Sequence, residues 1–367
     1  MKKLSLRFPS THAQKYQILI GATMVEELRT FISKAQQLVI ITDHHIQKIY
    51  GDALREVLVQ HGFNVLLLAF PAGEKSKNAK TKEHLELAML EHGCGRDTVI
   101  VALGGGVVGD VAGFVAATYL RGIPYIQVPT TLLSMVDSSV GGKTGINTPY
   151  GKNLIGAFWQ PHAVIADLNC LKTLPQRQCI NGLVEVIKIF LTSDPERFYF
   201  LEEHLKELLE ADISLLQEVI TAAVEHKIRI VQQDEKETGE RMILNFGHTM
   251  GHAIERVSGY KIMHGYAVAL GILVELKISE LLGICSTKEF EGIAKFFQRL
   301  KITSELIARM NPSDLLEATR QDKKRTAGQV RYILLRQIGA IERREGSVVH
   351  PVEDAIVLEA LRKLTLA

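Results

Sequence analysis

A chain of 367 residues is long enough for two domains, each with its own core. An apolar content of 46%, a charged content of 23% and a net charge of +2 fit a soluble globular protein. They exclude a general polyanion-binding character, so neither nucleic acid nor an anionic membrane is expected as a partner.

The four cysteines, Cys94, Cys170, Cys179 and Cys285, form no Cys-x-x-Cys pair and read as reduced thiols of a cytoplasmic protein. Residues 1–9 lack an apolar run of signal-peptide length. The longest apolar run, residues 98–120, contains three consecutive glycines and Asp110, which reads as a buried strand, turn and helix rather than a membrane span.

In chain order, residues 37–43 form an apolar run ending in Asp43, and residues 46–61 are amphipathic. A second strand at 65–70 leads to Glu74 and Lys77, and 81–92 reads as a helix. A third strand at 97–103 runs into Gly104, and a fourth covers 125–131. Strands alternating with helices predict an α/β domain with a largely parallel sheet. Beyond residue 176 the pattern changes to helices at 181–191, 196–209, 213–233, 243–257, 267–282 and 289–300, followed by one alternating run at 329–335. The expected organisation is an α/β Rossmann-like domain at 1–175 and an all-α domain at 176–367, with the boundary near Leu174–Pro175.

Gly104-x-Gly106-x-x-Gly109 follows a strand and opens a helix, the context in which glycines let a pyrophosphate approach the backbone at a helix N-terminus. The usual ribose-binding acid about 20 residues later is missing; Arg121 and Tyr125 lie there, and Asp43 is the alternative. Gly142-Lys143-Thr144 is no P-loop, because the motif's first glycine would fall on Asp137. The stretch from Asp137 through Lys143 to Lys152 and Asn153 nevertheless reads as a flexible, cationic, hydroxyl-rich region suited to a phosphorylated or carboxylated small molecule. Taken singly, its lysines would be ordinary solvated residues.

Residues 241–252, if helical, place Arg241, Asn245, His248 and His252 on much the same face, and His264 follows after a Ser258-Gly259-Tyr260 break. Imidazoles with a carboxylate suit Zn²⁺. The His-x-x-x-His spacing lacks the glutamate of metalloprotease helices, Thr249 standing in its place, and it equally fits two ordinary histidines on an amphipathic helix.

Taken together, the residues 104–110 turn, Pro129-Thr-Thr-Leu-Leu133, Val136-Asp-Ser-Ser139, Gly141-Gly-Lys-Thr-Gly145, Lys152-Asn-Leu-Ile-Gly156, Glu185-Val-Ile-Lys188, Asp234-Glu-Lys-Glu237, residues 241–252 and His264-Gly265 occur in one order. From about Asp43 to Lys324 the chain closely resembles the 3-dehydroquinate synthase family. The resemblance implies a cytoplasmic homodimer with NAD and a divalent metal, Zn²⁺ or Co²⁺, in a cleft between an NAD-binding domain and a metal- and substrate-binding domain. It implies conversion of 3-deoxy-D-arabino-heptulosonate 7-phosphate to 3-dehydroquinate and phosphate in the shikimate pathway, by transient oxidation, phosphate elimination, re-reduction and ring closure without net NADH. It assigns Glu185, His248 and His264 to the metal, and His252 to the substrate phosphate region rather than the metal. Asp137, Lys143, Asn153, Lys188, Lys227, Glu237, Arg241 and Asn245 would line the substrate pocket. Lys324 or its neighbour Lys323 would lie near the phosphate, and Arg121 would reach the partner subunit's site. NAD would be held by Asp43, Glu74, Lys77, Gly105, Gly106, Val107, Asp110, Thr130, Thr131, Leu133, Lys143, Lys152 and Thr173.

Four positions depart from the family pattern. Tyr266 replaces the usual Glu after His264-Gly265, Val184 the usual Ala, and Ile189-Phe190 a common Tyr-Gly. A metal-dependent polyol dehydrogenase, a sister sugar-phosphate cyclase and a non-enzymatic binding protein are the competing readings. The lysine cluster with Arg241, Asn245 and His252 weighs against the first two, and the intact ligand set against the third.

Overall fold

The computed structural model describes residues 15–366 except 22, 35 and 321–329. Lys323 and Lys324 therefore lie outside the described residues. The chain forms two compact units: described residues up to Thr130 with Gly141–Asp167, and Thr131–Val140 with the described residues from Leu168 onward. Residues 131–140, which carry Asp137, and residues 168–175 thus belong to the second unit, although they precede the boundary expected at 175.

The first unit is built on a parallel sheet of β1 (Gln17–Ile20), β2 (Gln37–Asp43), β3 (Asn64–Phe70), β4 (Val99–Gly104), β5 (Tyr125–Pro129) and β8 (Ala163–Ala166). Every residue of β4, β5 and β8 is buried, as expected of parallel strands covered on both faces, which read as continuous apolar runs. The spatial order β1-β8-β5-β4-β2-β3 has β3 on one side of β2 and β4 on the other. The direction of winding therefore reverses between β2 and β4. In open parallel sheets the crevice at such a reversal, outside the carboxyl ends of the strands, is where ligands sit. Asp43 ends β2 and Gly104 ends β4 at this point.

The stretch expected to be a flexible loop region is instead an antiparallel hairpin of β6 (Lys143–Thr148) and β7 (Gly151–Phe158). Glycine permits its close pairing, because a Cβ on Gly156 would lie 2.0 Å from the Thr144 carbonyl oxygen.

The second unit is helical, with principal helices Gln176–Ser193, Ile213–Gln233, His248–Val257, His264–Leu281 and Thr287–Arg299. Two short two-stranded ribbons follow, pairing Arg331–Tyr332 with His350–Pro351 and Leu335–Gln337 with Ala340–Ile341. The continuous helix expected over 243–257 is not formed. A 3-10 turn spans Glu240–Asn245, Gly247 takes a left-handed φ of 75°, and the helix begins at His248. A Cβ on Gly247 would lie 2.5 Å from Ile272 Cγ1, so both conformation and close packing require glycine there. Arg241 and Asn245 consequently do not share a helix face with His248. No helix among the described residues is long and apolar enough to cross a membrane.

Candidate active site

In the second unit, Glu185, His248 and His264 converge from three helices. Their ligand-type atoms lie within 4.8 Å of one another. Glu185 is fully buried in the Gln176–Ser193 helix. Its Oε2 accepts the Lys188 ammonium, one helical turn on and itself 1% exposed. Its Oε1 accepts no hydrogen bond, yet His264 Nε2 stands 3.3 Å away and His248 Nε2 3.6 Å away.

The other imidazole nitrogens face acceptors. His248 Nδ1 is 3.1 Å from the Phe246 carbonyl oxygen, and His264 Nδ1 is 3.3 Å from Glu255 Oε2. An acceptor at Nδ1 holds a proton there, so a bound cation would take the Nε2 lone pair of each ring on the side that faces the Glu185 oxygen. One buried carboxylate oxygen and two imidazole lone pairs form a donor set that suits a divalent cation of the Zn²⁺ type, with positions left for a ligand. The electrostatics agree. Burial alone would lower the His264 pKa, but the Glu185 and Glu255 carboxylates more than offset it and lift the imidazole to about 10. The site therefore favours positive charge between these groups, which a metal ion also supplies. Burial pushes the Glu185 carboxyl upward, and the Lys188 ammonium, with His264, more than reverses it, so the group is held below its ordinary value.

His252 packs against both histidines of this cluster, with ring centroids 5.5 Å from His248 and 6.1 Å from His264. With Glu255 and His264 it makes a second, overlapping donor cluster. Glu255 was not foreseen; it lies three residues beyond His252 on the same helix, and that spacing was the available signal.

Cationic side chains surround this centre. Lys227 donates to the Asp137 backbone oxygen and carboxylate. Burial would raise the Asp137 carboxyl, but Lys227 and Lys188 hold it well below the usual carboxylate range. Asp234 accepts the backbone N–H groups of Thr238, Gly239 and Arg241 at 3.0, 2.7 and 3.1 Å, which fixes the loop that carries buried Arg241. Arg241 also donates to the Glu235 carbonyl oxygen, and Asn245 Nδ2 donates to Glu237 Oε1 at 2.6 Å. Thr131 and Ser134 exchange hydrogen bonds at the start of the short helical turn that carries Asp137. The Leu133 backbone lies against the Glu185 helix at Gly182, where a Cβ would meet Leu133 N at 2.4 Å. Thr173 Oγ1 donates to the Cys170 carbonyl oxygen.

The first unit holds a separate constellation at the carboxyl end of its sheet. The helix Gly106–Thr118 opens after Gly105 with no side-chain cap, so its first N–H groups, with Val107 in the first turn, remain for an anion. Gly104 and Gly109 are required by packing, since Cβ atoms there would meet Val108 and Gln127 side-chain atoms at 2.6 Å. Asp43 Oδ1 accepts the N–H groups of His45 and Ile46 and caps the helix after β2. Buried Lys77 donates to both Asp110 Oδ2 and Asn153 Oδ1. Asn147, also unforeseen, donates to Glu74 and accepts the Asn153 N–H, and its own N–H donates to the Lys77 carbonyl oxygen. Lys152 lies 4.0 Å from Glu74. Thr130 follows β5 and donates its N–H to the Gly104 carbonyl oxygen. Lys143 is exposed at the start of β6, and Arg121 is exposed in a left-handed turn with φ 68°. An uncapped glycine turn at the sheet's switch point fits a dinucleotide pyrophosphate.

Comparison with known proteins agrees with this geometry. The family described as 3-dehydroquinate synthase N-terminal matches residues 67–181, and that described as 3-dehydroquinate synthase C-terminal matches residues 182–325. A 3-dehydroquinate synthase of Nitrosospira multiformis is 42% identical over 370 aligned positions, covering 100% of this chain and 99% of that one. Among solved structures, 2-epi-5-epi-valiolone synthase from Streptomyces hygroscopicus with NAD⁺ and Zn²⁺ bound has a TM-score of 0.89 at 26% identity, covering 98% of this chain and 99% of that one. A 2-deoxy-scyllo-inosose synthase complexed with carbaglucose-6-phosphate, NAD⁺ and Co²⁺ has a TM-score of 0.87 at 27% identity, covering 94% and 96%.

Proposed function

Since the chain belongs to the 3-dehydroquinate synthase family, we propose that it converts 3-deoxy-D-arabino-heptulosonate 7-phosphate to 3-dehydroquinate and phosphate, with NAD regenerated in each cycle and a divalent metal. The observation that carries this reading is the buried Glu185 Oε1, flanked by His248 and His264 and accepting no hydrogen bond, in a chain that matches the family from end to end.

In this reading the first unit takes NAD. The N–H groups after Gly105 and Gly106 face its pyrophosphate, and Asp43 serves the ribose. Glu74, Lys77, Asp110, Thr130 and Lys152 complete the set in that unit. The second unit holds the metal on Glu185, His248 and His264. When bound, the nicotinamide supplies reversible hydride acceptance and the metal supplies polarisation of the reacting oxygen.

The protein's own groups do the rest. Lys188 neutralises the outer oxygen of Glu185, so that the carboxylate stays ionised in a dry site. Arg241, Lys188 and Lys227 of the second unit supply donors to the substrate's carboxylate and phosphate, and a guanidinium can meet a carboxylate with two bonds. His252 and Asn245 orient the phosphate end. Asp137 and Glu237 fix Lys227 and Asn245. No side chain is assigned as a dedicated carbon base; the departing phosphate of the substrate takes that proton.

A cytoplasmic homodimer completes the proposal, with Arg121 directed at the partner's site. Support comes from the apolar surface of β7, where Leu154, Ile155 and Phe158 are 44%, 51% and 45% exposed. Leu154 and Phe158, four residues apart, lie on one face of the strand, and exposed apolar side chains gathered on one face mark an interaction surface. The test of function is the product: purified protein supplied with the heptulosonate phosphate and NAD⁺ should yield a carbocyclic dehydroquinate, identified by NMR. An open-chain oxidised sugar phosphate as the end product would overturn the proposal.

A further inference from the structure

The helix that begins with His264 runs for 18 residues, but its N-terminus is poorly served from within. The N-cap residue Met263 offers no side-chain hydrogen bond, and no acidic residue stands in the first turn. The leading N–H groups of a helix need outside acceptors. One is found on a different helix. Asn181, 5% exposed, directs Oδ1 at the Gly265 N–H at 2.7 Å. The donor is a backbone N–H, so the amide oxygen, not the nitrogen, must face it.

This bond spans the two helices that carry metal-ligand candidates. Asn181 lies one turn before Glu185 on the Gln176–Ser193 helix, and residues so spaced project from one face. Gly265 is the residue after His264. Two successive turns of one helix therefore meet two successive residues of the other: Asn181 receives Gly265, and Glu185 faces His264 Nε2 at 3.3 Å. The backbones nearly touch at this crossing. A Cβ on Gly265 would lie 2.0 Å from the Asn181 carbonyl oxygen, and one on Gly182 would lie 2.4 Å from Leu133 N.

We propose that Asn181 is a positioning residue for the metal centre: by capping the His264 helix from the Glu185 helix, it sets the separation of the Glu185 and His264 ligand atoms. The proposal rests on the assignment of Glu185, His248 and His264 as ligands. Asn181 does not touch the metal in this account. It acts through the placement of His264, as outer groups that orient ligands commonly do, with effects of about 10–100-fold in metal affinity.

The experiment compares wild type, Asn181→Leu, Asn181→Asp and His248→Ala, each stripped with chelator and titrated with Co²⁺. The readouts are a competition Kd, the visible Co²⁺ spectrum and the thermal midpoint of the metal-free protein. Asn181→Leu removes the acceptor at similar size and should bind Co²⁺ about 10–100-fold more weakly with an altered spectrum. Asn181→Asp keeps the acceptor and should bind at least as tightly as wild type. If Asn181→Leu lowers the thermal midpoint but retains wild-type Kd and spectrum, its role is structural only and the proposal fails. Equal weakening in the Leu and Asp variants also overturns it, because the acceptor is then not the cause. Should the Leu variant not fold, Asn181→Ala makes the same comparison. Wild-type affinity in His248→Ala would instead overturn the ligand assignment, so the two failures are distinguishable.

Discussion

Lys188 stands one turn beyond Glu185 on the same helix, and its ammonium is bonded to the Glu185 carboxylate although the two side chains are only 2% and 0% exposed. Each charge is tolerable there only through the other. Removing one partner of a buried pair leaves an uncompensated charge, at a cost of about 3–5 kcal/mol. Lys188→Met should therefore destabilise the metal-free protein by an amount of that order, read as a lowered urea midpoint. Zn²⁺ should restore part of the loss, since the cation faces the same carboxylate. An unchanged midpoint would show that Glu185 is not charged in the metal-free site.

The two histidines of the His248 helix should separate in function. His248→Ala should abolish both metal binding and activity, measured by metal analysis and phosphate release. His252→Ala should lower activity while metal remains bound. Equal metal loss in both would overturn the ligand assignment, and loss confined to His252→Ala would favour the overlapping cluster of His252, Glu255 and His264.

The metal-free protein should lose stability on the alkaline side. The folded-state pKa of His264 is raised to about 10, above the unfolded value of about 6.5. A group raised in this way stabilises the fold fully below the unfolded pKa, and the contribution disappears as pH rises through the folded one. The thermal midpoint of chelated protein should thus fall between roughly pH 7 and pH 10. The Zn²⁺-loaded form, in which the imidazole is already deprotonated, should show a flatter profile. Parallel profiles for the two forms would contradict the placement of His264 between two carboxylates.

Gly247→Ala tests the break before His248. The residue would need a left-handed φ of 75° and would place a Cβ 2.7 Å from the Val268 carbonyl oxygen. Strain and overpacking together should cost roughly 2 kcal/mol or more. Metal affinity should fall as well, because the left-handed turn sets where His248 begins its helix. A neutral substitution in both assays would refute that role.

The strand-turn-helix from β4 through Gly104 was readable because a strand covered on both faces leaves a continuous apolar signature, and glycines mark the turn. The strands β1, at the sheet edge, and β8, beside it, escaped notice, being four residues each and too short for periodicity to separate from loop. The single helix read over 243–257 failed at Gly247, because a glycine permits a left-handed residue without requiring one. Its reason lies in packing against Ile272, far along the chain. The convergence of Glu185 with His248 and His264 was likewise invisible to spacing and came only through family resemblance, since helix packing joins distant segments. Asn181 carried a faint signal, a polar residue one turn before Glu185 in a helix that is otherwise largely apolar, but its partner is a backbone N–H that no sequence pattern displays.

The most direct test of the account measures phosphate release and NADH absorbance together, with the heptulosonate phosphate and catalytic NAD⁺, before and after chelation and Zn²⁺ return. The account predicts many phosphates released per NAD, no steady rise of NADH, loss of release on chelation and its recovery with Zn²⁺. NADH accumulating in step with turnover, or phosphate release indifferent to chelation of fully stripped protein, would contradict it.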